Sequence, residues 1–102
     1  MVITLFRSRL RLDHADEFHV LADRMLTLAK VMPGFVSYKS FASEDGERCS
    51  IIEFDSPEHL RAWREHPEHR QAQQLGRERF YATYDLYVAE PEHQAHFRYE
   101  PA

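Results

Sequence analysis

A single cysteine, Cys49, rules out an intramolecular disulfide and fits a reducing, cytoplasmic setting. It lies in the apolar run CSIIEF, where a cysteine behaves as a small hydrophobe, and no base or cation is placed beside it to make a nucleophile. Glycine is equally sparse at three residues, and none forms a glycine-rich phosphate loop or a Gly-x-Ser-x-Gly elbow. Paired carboxylates at a fixed spacing are absent too, so nucleotide and flavin enzymes of the usual kinds are disfavoured. The N-terminal MVITLFRSRL has no uncharged stretch long enough for a signal peptide, and no apolar run approaches a membrane span. Excess positive charge is also missing. With 13 Lys and Arg against 17 Asp and Glu, a net charge of -4 offers phosphate backbones no long-range attraction, and neither nucleic acid nor membrane is an expected partner.

What the chain does have is apolar and aromatic content, at 43% and 13%, which requires a folded protein. A single domain of 102 residues buries only about 60–65% of its unfolded surface, which leaves little room for a deep cavity and favours association of two copies.

Residues Val2 to Leu12 alternate, with Val2, Phe6 and Leu10 on one side and Ile3 and Leu5 on the other, so this strand is covered on both faces along part of its length. Arg7, Arg9 and Arg11, spaced by two, form a polar stripe that is solvated or faces a partner. Asp13 is placed to cap the next element, and Phe18, Leu21, Ala22, Met25, Leu28, Ala29 and Met32 recur at helical spacing. Pro33-Gly34 ends that helix. Two β-rich runs, Phe35 to Ala42 and Glu47 to Asp55, flank an Asp-Gly hairpin signal. Ser56-Pro57 opens a second helix, which Pro67 bends at His66; Gly76 loosens its far end, and Phe80 to Ala89 is the fourth strand.

The order β, α, β, β, α, β predicts an α+β, ferredoxin-like fold: a four-stranded antiparallel sheet with two helices on one face. Its other face carries apolar groups, so a twofold-related sheet is expected to cover it, closing a homodimeric α+β barrel. The domain covers residues 1–90, and residues 91–102 form a polar tail.

Chemistry-bearing residues concentrate between Ser56 and Tyr84. His59, His66 and His69 would share a face on an unbroken helix, but Pro67 interrupts their register, which argues against a metal site. His66 or His69 is a candidate general base, since an imidazole accepts protons near neutrality; the alternative is a helix-end role. Trp63 anchors its helix on the sheet and offers a flat apolar wall to a planar ligand. Strand alternation sends Tyr81 and Tyr84 to opposite faces, so only one is expected to line a helix-side pocket.

The stretches MPGFVSYKSFAS, EFDSPEHLRAW, HPEHR and GRERFYATY resemble the antibiotic biosynthesis monooxygenase domains, small dimeric α+β barrels, over roughly residues 1–90. The resemblance implies oxygenation of a planar aromatic or quinol with O2 and without a cofactor: a deprotonated substrate reacts directly with oxygen, while the protein desolvates and orients it. Trp63 matches the pocket tryptophan, and His66, His69 and Tyr84 are the candidate proton-transfer groups. Phe6, Ser8 and Gln73 complete the expected binding set. A haem-degrading branch carries an Asn on the first strand and a ligating His one long helical step after its Trp; here Ser8 and Gln73 stand at those positions. A non-catalytic dimeric module that binds a metabolite or haem is the alternative reading.

Overall fold

Even-numbered side chains of the first strand turn inward, and the remaining elements are built around them. Val2, Thr4 and Ser8 are buried and Phe6 is half-buried, whereas Leu5 and Arg7 on the alternate positions are exposed. The computed structural model describes residues 1–102. In chain order it consists of β1 (Val2–Leu10), α1 (Ala15–Lys30), β2 (Phe35–Ala42), β3 (Arg48–Phe54), α2 (Pro57–Glu65), α3 (Pro67–Leu75), a π-helical turn (Gly76–Phe80) and β4 (Tyr81–Ala89). The sheet is antiparallel throughout in the order β2-β3-β1-β4, which is the ferredoxin-like arrangement. The second helix is two helices, because His66 sits at φ −56° and ψ 130° and breaks the path between α2 and α3.

The core lies between the helices and the inner ends of the strands. Val2, Ile52 and Phe54 from the sheet meet Met25 and Ala29 of α1 and Leu60 and Trp63 of α2. The helical spacing of Met25 and Ala29 puts them on one face of α1, and this is the face that docks. Ser56 caps α2 by accepting a hydrogen bond from the His59 amide at 3.2 Å, with Pro57 at the first helical position.

Several expectations are corrected. Asp13 does not cap α1; the N-cap is His14, in the left-handed region at φ 64° with no side-chain cap, and Asp13 instead lies 3.4 Å from its Nε2. Both Gly34 (φ 78°) and Gly46 (φ 93°) serve as turn glycines, Gly46 in the β2-β3 hairpin. The arginine stripe is not merely solvated. Arg7 chelates Glu47 and Arg9 pairs with Asp45, both at the hairpin, whose Asp45 carboxyl the Glu47 amide, Arg9 and Ser43 together hold down at about 2.

Arg11 goes elsewhere, donating to the carbonyls of Arg77, Glu78 and Tyr81 at 2.9, 2.8 and 3.0 Å. These are carbonyls that a helix end leaves unpaired, so Arg11 stitches the π-helical turn to the end of β1. Residues beyond Ala89 form no helix or strand, and no helix is long and apolar enough to cross a membrane.

Candidate functional site

Pro67 creates the site by what it lacks. In a continuous helix the amide of residue 67 would bond to the carbonyl of Trp63, but proline has no N–H to give. The Trp63 carbonyl accepts instead from the His66 amide at 3.2 Å, and its second lone pair is left for the side chain of His69, which reaches it from α3 with Nδ1 at 3.0 Å. This contact lays the imidazole flat on the indole, with centroids 3.9 Å apart and planes within 15°. A carbonyl only accepts, so Nδ1 carries the proton and Nε2 keeps its lone pair. Burial first, then the nearby charges of His66 and Arg64, push the His69 pKa down from 6.5 against the opposing Trp63 hydrogen bond. The ring is neutral at pH 7, with a basic Nε2.

His66 belongs to a different arrangement. Its Nδ1 accepts from the Glu68 amide at 3.2 Å and caps α3, and it does not line the cavity next to Trp63. Of the two roles expected for His66, base or helix-end group, this contact is the helix-end one. His59 is also engaged locally, with Nδ1 2.6 Å from Asp55, so the three histidines do not converge.

Between Trp63 and the sheet lies a cavity of about 390 Å³, in a domain whose size was expected to leave little room for a deep one. Around it the structure gathers Trp63, His69, Gln73, Ser8, Phe6 and Tyr84. Its floor is the inward surface of the strands. In register, Arg48 of β3 stands beside Ser8 of β1, which stands beside Tyr84 of β4; one step further, Ser50, Phe6 and Leu86 are neighbours. The buried indole needs no ligand to justify it, since its removal alone would cost about 3–5 kcal/mol of core packing. The cavity is the part that core packing does not explain.

Sequence alternation misplaced one wall. Tyr81 and Tyr84 both face the cavity, because β4 carries an extra residue: Arg9 pairs with Thr83 and Leu10 with Tyr81, leaving Ala82 unpaired as a bulge. Phe6 then meets both tyrosines at 5.3 Å, and the tyrosines meet each other at 5.7 Å. Phe18 of α1 adds its edge to Tyr81 at 5.8 Å. Burial pushes the Tyr81 hydroxyl up to about 12 and raises Tyr38 as well, so both keep their protons and act as donors at neutral pH. Sequence reasoning also missed Tyr38, Arg48 and Thr4, which line the same cavity. Their inward period-two positions on the strands were the available signal.

At the position where the haem-degrading branch carries its ligating histidine stands Gln73, an amide that donates to the Arg64 carbonyl at 3.3 Å and offers iron no imidazole.

Two outcomes test this geometry. A Cβ at Gly76 would run into the Tyr81 ring, which Phe6, Phe18 and Tyr84 pin from other sides. Gly76→Ala is expected to cost about 1–3 kcal/mol in urea unfolding, and adding Tyr81→Ala to it is expected to cost less than the two single changes summed; strict additivity would refute the contact. The second concerns protons. Because the folded protein binds a proton at His69 only below 6.5, the unfolded chain binds more protons between that lowered value and 6.5, and stability falls as pH drops through this window. Unfolding curves from about pH 7 to pH 5 should show a steeper loss in the wild type than in His69→Gln, and parallel curves would contradict a buried neutral imidazole.

Comparison with known proteins agrees with this architecture. The family described as Antibiotic biosynthesis monooxygenase matches residues 1–75. The uncharacterized protein YqjZ of Bacillus subtilis is 35% identical over 77 residues, which cover 76% of this chain and 68% of that protein. Among solved structures, Rv0793 of Mycobacterium tuberculosis superposes with a TM-score of 0.82 at 24% identity, covering 93% of this chain and 98% of that one. SnoaB, a cofactor-independent oxygenase from Streptomyces nogalater, superposes with a TM-score of 0.78 at 16% identity, covering 91% and 94%. At these identities the structural likeness is one of fold, whereas the sequence match spans most of the chain: the protein belongs to the antibiotic biosynthesis monooxygenase family.

Proposed function

We propose that the protein is a monooxygenase that oxidises a small planar, electron-rich aromatic of the anthrone or quinol type with O2, drawing the electrons from the substrate itself. The observation that carries this reading is the juxtaposition of an aromatic-walled cavity with a neutral imidazole whose tautomer leaves Nε2 basic. His69 takes the acidic ring proton. The resulting anion is far more easily oxidised than the neutral ring and passes electrons to O2. For an anthrone, the ring CH2 becomes C=O with one oxygen atom, and its two hydrogens leave with the other as water. Trp63, Phe6 and Tyr84 hold the ring plane, Ser8 and Gln73 flank it, and the Tyr81 and Tyr38 hydroxyls donate to the oxygen on which charge develops.

Oxygen uptake with a panel of anthrones and hydroquinones tests the reading. His69→Gln is expected to lower the rate by about 10²-fold or more, and the wild-type rate should fall along an acid limb centred below pH 6.5. Trp63→Phe, which keeps the core filled, should raise KM. Rates equal to the wild type in both variants would sink the proposal, and tight binding without oxygen uptake would favour a non-catalytic binding module.

We further propose that the working unit is a homodimer joined through the outer sheet face. Only 12 of 102 residues are buried in the single chain, so much apolar surface is left without cover. Leu5 stands between Ile51 and Tyr87 on that face, and Phe41 is half exposed nearby, two strands from Arg7. A second copy related by a twofold axis would bury this patch against itself. Sedimentation at micromolar concentration should give a dimer mass for the wild type and a monomer for Leu5→Arg. A monomeric wild type would rule out this assembly.

A further inference from the structure

We infer that the cavity's ligand carries an anionic group, a ring carboxylate or an ionised ring hydroxyl, and that Arg48 receives it. The inference rests on reading the cavity as an aromatic-binding site and concerns what that aromatic must bear. The chain has four more acidic than basic residues, yet its cavity is lined by Arg48, Arg64 and Arg77 and by no Asp or Glu. Such a reversal of sign within an acidic protein concentrates anions at one place.

Of the three, Arg48 is the one built into the wall. Arg64 and Arg77 are exposed on the helical side, where water screens them. Arg48 is half-buried at the start of β3, on the inward face beside Ser8. The acids nearest to it in sequence are already engaged: Glu47 is chelated by Arg7 and Asp45 is held by Arg9. Arg48 itself takes part in no ion pair, and its guanidinium lies over the Phe18 ring, 5.6 Å from the centroid. A cation–π contact compensates only part of the lost hydration and orients the guanidinium without using its N–H donors. A half-buried cation with free donors and no counter-charge is incomplete, and an anion completes it.

Further polar groups share the cavity. Thr4 is 6% exposed, and its Oγ1 is buried without a hydrogen-bond partner. Tyr38 and Tyr81 present protonated hydroxyls, donors suited to an oxyanion. A wholly apolar ring would leave the Arg48 donors and the Thr4 hydroxyl unsatisfied. A ring bearing a carboxylate or a phenolate oxygen satisfies the cation and the hydroxyls together.

Isothermal titration at neutral pH with matched pairs decides the matter. Naphthoate and its neutral isostere naphthamide probe the carboxylate, while dinitronaphtholate and its methyl ether probe the ionised hydroxyl. Wild-type protein is expected to bind at least one anion about tenfold or more tighter than its neutral partner. That preference should vanish in Arg48→Gln, return in part in Arg48→Lys, and survive Arg77→Gln. The pair showing the preference identifies the anionic group. Equal binding of anion and neutral partner would overturn the inference while leaving the aromatic site standing, whereas binding of neither would overturn the site reading as well. A preference lost in Arg77→Gln but kept in Arg48→Gln would refute the assignment to Arg48. Should Arg48→Gln fail to fold by circular dichroism, loss of the preference in a folded Arg48→Met would support the assignment, and its retention there would refute it.

Discussion

The missing N–H of Pro67 is the constraint on which the site depends. It removes the helical partner of the Trp63 carbonyl, turns the chain at His66, and lets α3 return at an angle that brings His69 over the indole. One covalent feature thus sets the position, the stacking and the tautomer of the imidazole together. An amide hydrogen at residue 67 would supply the i to i−4 bond to the Trp63 carbonyl that the His69 side chain and the His66 amide now replace.

A second layer of control lies where the helices hand over to β4. The π-helical turn and the Ala82 bulge each insert an irregularity next to the cavity, and both have identifiable restraints. Arg11 satisfies three carbonyls around the turn, and Gly76 makes room for the Tyr81 ring. The bulge then rotates Tyr81 onto the same face as Tyr84. Phe6, Phe18 and the two tyrosines form a connected set of edge and tilted contacts, which holds a wall open that an ordinary strand would have divided between two faces.

The two faces of the sheet divide the work. The inward face gives half its length to the core under Trp63 and the other half to the cavity, where serines, tyrosines and Arg48 replace aliphatic side chains. The outward face carries Leu5, Ile51 and Tyr87 side by side, with Arg7 and Arg9 pinned to the hairpin.

Element order, the ferredoxin-like topology and the bend at Pro67 were legible in the chain, because apolar periodicity, Ser-Pro and Asp-Gly signals and proline's missing donor act over a few neighbouring residues. So was the importance of Trp63 and the region around it. The roles within that region were not. His66 and His69 look alike in sequence, and only the path of α3 made one a cap and the other a neutral, stacked imidazole. Tyr81 and Tyr84 were assigned to opposite faces because a bulge depends on how two distant strands register, which no local pattern reports. Arg48 passed unnoticed for the same reason: its lack of a counter-charge exists only once Arg7 and Arg9 have drawn its acidic neighbours to the other side of the sheet. Local sequence determined the elements and the break between them; contacts between residues far apart in the chain decided which side chains face the cavity and in what state of charge.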